Sequence, residues 1–169
     1  GRKINEAAGQ YPVTVLETFA HSIQRKVESL RVLLVGMAFK GKPETNDLRG
    51  SASVSVAREL LQRGCSVECF DAVVSEQELH NHGLNPARMD EALKNVDAIL
   101  ILNNHENNIP NKFLEGIGCG RAVLLFDGWS LLERHEVEKY SGVTYANLGY
   151  MTKRNKDKET TAPYPIRFQ

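Results

Sequence analysis

At 169 residues the chain is long enough for one domain, burying on the order of 70% of its unfolded surface. Lys plus Arg and Asp plus Glu both number 21, so the net charge is zero, which gives no electrostatic case for a nucleic-acid or anionic-membrane partner. No apolar run reaches the roughly 20 residues needed to span a bilayer, and GRKINEAAGQ at the amino end lacks the apolar core of a signal peptide, so a cytoplasmic location is expected. Residues 1–30 read as one helix with an entry segment. Pro12 suits a first helical turn, and Leu16, Phe19, Ile23, Val27 and Leu30 recur at spacings of three and four. That stripe is either a tether or dimerisation element outside the sheet or a face packed on its own domain, and periodicity does not separate the two.

From Arg31 onward strands and helices alternate. Residues 32–35 form a β-branched apolar run, the signature of a strand buried on both faces, and a polar loop follows Gly36. Ser51 is placed to N-cap an amphipathic helix over 53–63, whose buried face is Val54, Ala57, Leu60 and Leu61, with Gly64 as its stop. A strand over 66–70 ends at Asp71. Short helical pieces over 76–82 and 89–94 follow, punctuated by Gly83 and Pro86. The run AILIL at 98–102 is a buried strand ending in Asn103, Asn104 and His105. A helical segment at 112–115 leads to a strand at 122–126, closed by Asp127 and Gly128. A helix over 131–139 and a strand over 143–147 complete the pattern. This alternation predicts an α/β fold with a doubly wound, mainly parallel, Rossmann-like sheet preceded by a helix. Residues 151–169 are polar without a periodic apolar face and read as a loosely held tail.

In such a sheet the binding crevice lies beyond the carboxyl ends of the strands. Lys40, Asp71, His105 and Asp127 all fall at those ends. Between strand and helix, Lys40 and Arg49 supply two cations, a point charge and a guanidinium suited to bidentate phosphate recognition. Asp47 either orients Arg49 or caps a turn, and a solvated loop of mixed charge is the bland alternative. His105 is either a general base or a hydrogen-bonded crevice histidine, the commoner role. His80 and His82 form a short HNH with poor metal geometry and are assigned nothing.

Two nucleotide motifs are nearly present and both fail. Gly36-x-x-x-x-Gly41-Lys42 has the spacing of a phosphate-binding P-loop, but Pro43 stands where a hydroxyl should hold magnesium, and it also removes a backbone donor. The dinucleotide fingerprint G-x-G-x-x-G is missing because Met37, Ala38 and Phe39 follow Gly36, so Asp71 reads as a strand-end or turn aspartate and not a ribose ligand. Cys65, Cys69 and Cys119 form no metal pattern. Cys65 and Cys69 share a strand face with Val67 and read as small buried hydrophobes, and nothing near Cys119 supplies a base.

VLLVGMAFK followed by TNDLRGS resembles the signature that opens the C-terminal domain of nucleotide-sugar dehydrogenases, the UDP-glucose, GDP-mannose and UDP-N-acetylmannosamine dehydrogenase family. Gly36, Ala38, Phe39, Lys40, Thr45, Asp47, Arg49 and Ser51 match its pattern, while the spacer at 41–44 is longer than in the commonest members. Ile4-Asn5 and the following helix are similar to the end of that family's central helix, and the resemblance covers about residues 1–150. It implies enzymes that oxidise the sugar C6 alcohol to a carboxylate in two steps, each passing a hydride to NAD. It also implies an N-terminal Rossmann domain holding NAD, a cysteine nucleophile before the central helix, and a C-terminal domain closing over the sugar nucleotide. Residues 1–169 hold no glycine-rich NAD fingerprint and no cysteine in a G-G-x-C context, so the resemblance implies an excised C-terminal half, inactive alone. The implied division is 1–30 for the end of the central or dimerisation helix and linker, 31–150 for the nucleotide-sugar-binding domain, and 151–169 for the tail.

By that resemblance Phe39 and Lys40 contact a UDP-sugar or related nucleotide sugar, and Arg49 reaches toward NAD held by the chain's own N-terminal domain. No catalytic residue and no metal ligand is implied in these residues. A homodimer through the central helix is expected. Where several members place a substrate arginine after the strand-end Asp-Gly, this chain has Trp129, which would stack on a base or sugar or donate one hydrogen bond. The competing reading is a stand-alone Rossmann-like nucleotide-binding or regulatory module without catalysis.

Overall fold

The computed structural model describes residues 2–40, 43–118 and 120–147, the side chains of residues 2–10 excepted. The expected tail at 151–169, the P-loop-like Gly41-Lys42 and Cys119 lie outside the described residues. Five strands form one parallel sheet in the order β2-β1-β3-β4-β5: β1 (Arg31–Val35), β2 (Ser66–Phe70), β3 (Ala98–Ile101), β4 (Val123–Asp127) and β5 (Val143–Ala146). The helices are α1 (Arg2–Ser22), α2 (Ala52–Gln62), α3 (Glu76–Asn81), α4 (Met89–Asn95) and α5 (Arg134–Val137). The expected doubly wound sheet is present.

Alternation along β1 explains the two-sided core. Val32 and Leu34 face a cluster that takes in Leu16 and Phe19 of α1, Ala57 and Leu60 of α2, and Leu79 of α3. Leu33 and Val35 face the other cluster, with Leu93 of α4, Phe113, Ile117 and Val137 of α5. Strands β1, β3 and β4 therefore read as apolar runs, whereas β2 alternates, with Ser66 and Glu68 exposed and Val67 and Cys69 buried. In β3 and β4 every residue is buried.

The apolar stripe of α1 belongs to this core. Tyr11, Val13, Val15, Leu16, Phe19 and Ala20 are all buried, and the Tyr11 ring lies 5.9 Å from that of Phe126 on β4. Two details of the expected helix are corrected. Pro12 is inside α1 and not in its first turn, giving up one i→i−4 hydrogen bond while its ring is buried between Tyr11 and Val13. The helix also ends at Ser22 and not near residue 30. Gln24 adopts φ +58, with its N–H on the His21 carbonyl at 3.1 Å and that of Arg25 on the Ala20 carbonyl at 2.9 Å, the paired closure of a Schellman motif. From there Arg25 reaches the buried Asp97 carboxylate at 2.9 Å, whose other oxygen accepts the Arg31 N–H at 2.9 Å. The connector from α1 is thereby fastened to the start of β1 and β3.

Two other expected helices are shorter. The segment at 112–115 is a single 3-10 turn, Leu114–Gly116. The helix expected over 131–139 is only Arg134–Val137, because the Leu131 and Leu132 N–H groups donate to Asp127 and hold those residues in the preceding loop.

Candidate functional site

The strand order 2-1-3-4-5 places the topological switch point between β1 and β3, and ligands in such sheets lie beyond the carboxyl ends there. Two loops flank this crevice, 36–51 after β1 and 102–108 after β3. Buried polar side chains belonging to the protein fill its floor. The Asp71 carboxylate accepts the backbone N–H groups of Met37 at 2.7 Å and Ala38 at 2.9 Å, and on its other oxygen those of Val73 at 2.8 Å and Val74 at 3.2 Å. Asn108 donates to Asn103 at 2.7 Å and accepts from the Ala72 N–H at 2.6 Å. Gly36, at φ +93, sits so close that a Cβ there would lie 2.5 Å from the Asn103 side-chain oxygen.

This floor does not fit a dinucleotide. The amides that a dinucleotide fold offers to a pyrophosphate are bound to Asp71, and Asp71 is 6% exposed, so it cannot reach a ribose. The turn-aspartate reading of Asp71 holds.

Above that floor the loop keeps its cations outward. The Phe39 N–H donates to the Asp47 carbonyl at 2.6 Å, folding the loop into a hairpin-like closure. Lys40 Nζ lies 5.9 Å from the Phe39 ring centroid, and the edge of that ring approaches Gly50, where a Cβ would sit 3.9 Å from it. Asp47 accepts from Arg49 through Nε at 3.0 Å, Nη2 at 3.2 Å and the backbone N–H at 2.9 Å. The side-chain hydrogen bond with Arg49 draws the Asp47 carboxyl below its usual range and raises the guanidinium in turn. The Arg49 side chain is 88% exposed, so its remaining donors face outward. Phe39, Lys40, Asp47 and Arg49 therefore form one cluster. Ser51 ties this loop to the helix behind it: its hydroxyl donates to the Met37 carbonyl at 2.7 Å and accepts the Ser53 N–H at 3.2 Å as the N-cap of α2.

Trp129 rises from the same edge two strands away, roughly 10 Å at the spacing of strands in a sheet. Its loop is held from beneath by Asp127, fully buried, which accepts from Leu131 at 2.9 Å, Leu132 at 2.8 Å and the Tyr145 hydroxyl at 2.7 Å. The indole N–H donates to the Leu102 carbonyl at 3.1 Å, so what Trp129 offers to a ligand is its ring face. Among the described residues Phe39 and Trp129, 54% and 53% exposed, are the large apolar side chains left open to solvent.

His105 is 8% exposed, and its Nδ1 accepts the Asn107 N–H at 3.1 Å, which assigns the proton to Nε2. Nε2 lies 2.5 Å from the Glu44 carboxylate and donates to it. This is the hydrogen-bonded reading, and Glu44 is the partner that sequence reasoning missed. Cys65 and Cys69 are buried, with the Cys69 thiol pushed by burial up to about 12, far from nucleophilic range. Among the described residues no His, Cys, Asp and Glu group is arranged to hold a metal.

Two further concavities are present, one remote from the loop cluster and one shallow beside it. A cavity of about 480 Å³ at the amino edge of the sheet is bordered by Arg31, Ser66, Glu68, Arg88 and Glu91, remote from the loop cluster. At its border Arg88 and Glu91 pair with each other at 3.6 Å. A groove of about 390 Å³ runs beside the loop between Asn46, Asp47, Arg49 and the end of α3 at Glu78 and His82.

Residues 33–134 match the family model for the UDP-binding domain of the UDP-glucose/GDP-mannose dehydrogenase family. The chain belongs to this family. Its loop cluster and floor all lie within the matched UDP-binding domain. Over 87 residues the chain is 36% identical to the UDP-N-acetyl-D-glucosamine 6-dehydrogenase of Pseudomonas aeruginosa, covering 51% of this chain and 20% of that one. It is 28% identical over 130 residues to the enzyme of the same name from Salmonella typhi, covering 73% of this chain and 29% of that one. In fold it is similar to the UDP-D-ManNAc dehydrogenase of Pyrococcus horikoshii, with TM-score 0.66 and 18% identity over 88% of this chain and 32% of that one. The chain thus spans between a fifth and a third of the length of these relatives.

Proposed function

We propose that this chain supplies the UDP-sugar-binding part of an NAD-dependent nucleotide-sugar 6-dehydrogenase, acting in the cytoplasm. The observation that carries the reading is the outward cluster of Phe39, Lys40 and Arg49 at the carboxyl edge, in a family-matched loop whose backbone amides are already engaged by Asp71. In this reading Lys40 neutralises the diphosphate, Phe39 packs against the sugar nucleotide, and Trp129 stacks on the base or sugar. Arg49 reaches across to NAD. The dinucleotide is held by a separate domain, since the floor of this crevice does not accommodate it. The reaction is oxidation of the sugar C6 alcohol to a uronic acid in two hydride transfers to NAD, for which these residues bind and orient the sugar nucleotide.

Residues 31–150 form the nucleotide-sugar-binding unit and 1–30 its connection to the NAD-holding domain. The proposal keeps a second partner, another copy of the chain joined through the amino-terminal helix. That pairing must use surface other than the stripe from Tyr11 to Ala20, which is buried within the domain.

Calorimetry with UDP tests the reading. The chain alone is expected to bind UDP weakly and to reduce no NAD. The Lys40→Ala, Arg49→Ala double variant is expected to lose about 1–3 kcal/mol of UDP binding. Equal affinity of the wild type and the double variant would remove the loop from the site.

A further inference from the structure

The long spacer of the signature loop and the end of β3 are joined across the switch point by a buried histidine. We infer that Glu44 and His105 act as a clasp that holds the loop in the geometry presenting Phe39 and Lys40, which makes them positioning residues for the diphosphate. This inference rests on the UDP-binding reading of that loop.

Three observations carry it. His105 is fixed on its own side before it meets Glu44. It is 8% exposed, its backbone N–H donates to the Asn103 side chain at 3.2 Å, and its Nδ1 accepts the Asn107 N–H at 3.1 Å. Only one tautomer satisfies that arrangement, with the proton on Nε2 and directed at the Glu44 carboxylate. Asn103 also donates to the Asp71 carboxylate oxygen that accepts the Met37 and Ala38 N–H groups, so the anchor is continuous with the start of the loop. Both ends of the segment from Met37 to Glu44 are thereby tied to the 103–105 segment, the first through Asp71, and Phe39 and Lys40 lie between the two ties.

The second observation is the direction of the asymmetry. The Glu44 side chain is 62% exposed and His105 10%, so the rigid member belongs to the sheet edge and the loop docks onto it. A freely moving loop of this length would have to be ordered by the ligand itself, at a cost in affinity that a preformed clasp removes. The third is what the histidine does to its partner. With Nδ1 occupied by the Asn107 N–H, the hydrogen bond that Nε2 gives keeps the Glu44 carboxylate turned toward the sheet.

Glu44→Ala and Glu44→Gln separate positioning from charge. Gln keeps an acceptor for the Nε2 proton, whereas Ala removes it. With UDP as the probe and the full chain in the calorimeter, Glu44→Ala is expected to bind about three- to fivefold more weakly, as for a partly exposed charged contact, and Glu44→Gln to bind like the wild type. Imidazole nitrogen resonances of His105 should show the Nε2–H tautomer in the wild type. They should shift in Glu44→Ala together with the Phe39 and Lys40 amides, before any UDP is added.

Unchanged His105, Phe39 and Lys40 resonances in Glu44→Ala would overturn the clasp. So would Glu44→Ala binding UDP as tightly as the wild type while Lys40→Ala binds it more weakly, an outcome that leaves the UDP reading standing. If Lys40→Ala also binds like the wild type, the UDP reading of the loop falls and the positioning role falls with it.

Discussion

Asp71 and Asp127 stand at matching places, just after β2 and at the end of β4, and each is buried beneath the loop that follows. Neither is neutralised by a cation in the described structure. Backbone N–H groups, an asparagine and a tyrosine hydroxyl satisfy them instead. Lys40 and the outer donors of Arg49 consequently remain available to a ligand. The sequence shows that a strand ends in aspartate, but the donors that reach it come from residues up to 34 positions away, beyond the range of any local pattern. Glu44 was invisible for the same reason, since its partner lies 61 residues on. Cys65 and Cys69 were legible because burial follows directly from strand alternation, with Val67 between them on the same face.

The thiols give a prediction at this scale. Burial raises the Cys69 thiol to about 12 in the folded chain, well above its ordinary value of 9.0. The folded state therefore keeps its proton where the unfolded state loses it. The stability this contributes is complete below pH 9 and declines as pH rises from there toward 12. Urea midpoints measured from pH 8 to 10.5 should fall, and the fall should be shallower in Cys69→Ala. Both thiols should also resist alkylation at neutral pH until urea is added. Parallel slopes for the two proteins, or rapid labelling of the Cys69 peptide in the native chain, would contradict this.

At the scale of elements, helix ends show which signals the sequence carries. Gly64 was legible as the stop of α2, and it takes φ +94 with its N–H on Leu61 and the Cys65 N–H on Leu60. Gln24 closes α1 by the same geometry at φ +58, but a non-glycine residue in that role carries no marker, so the apolar spacing continuing through Ile23, Val27 and Leu30 masked the stop. Strands β1, β3 and β4 were legible nearly to the residue because continuous apolar runs of four or five suit a sheet covered on both faces, and β2 through its alternation of exposed and buried residues. Ser51 was legible as a cap. Its second role, donating to the Met37 carbonyl, depends on the loop folding back and was not. Ser51→Ala is accordingly expected to cost about 2–3 kcal/mol, more than the roughly 1 kcal/mol of an ordinary N-cap, because it also leaves the Met37 carbonyl unpaired. Equilibrium urea unfolding measures this, and a cost under about 0.5 kcal/mol would show that the loop is not held through Ser51.

For the molecule as a whole, the two edges of the sheet differ in kind. The amino edge carries a cavity of about 480 Å³ bordered by arginines and glutamates of mixed charge. The carboxyl edge carries the shallower relief together with the two exposed aromatics and the outward cations, above a crevice closed to dinucleotides by its own side chains. Among the described residues the carboxyl edge combines charge with exposed ring faces suited to a nucleotide, and this chemistry is a stronger guide than cavity size. The measurement that tests this most directly is amide and indole chemical-shift mapping of the chain titrated with UDP and, separately, with NAD. The account predicts that UDP moves Phe39, Lys40 and the Trp129 indole, and that NAD leaves the amides of Met37 and Ala38 unmoved. UDP shifts centred on Arg31, Ser66 and Arg88, or NAD shifts at Met37 and Ala38, would contradict it.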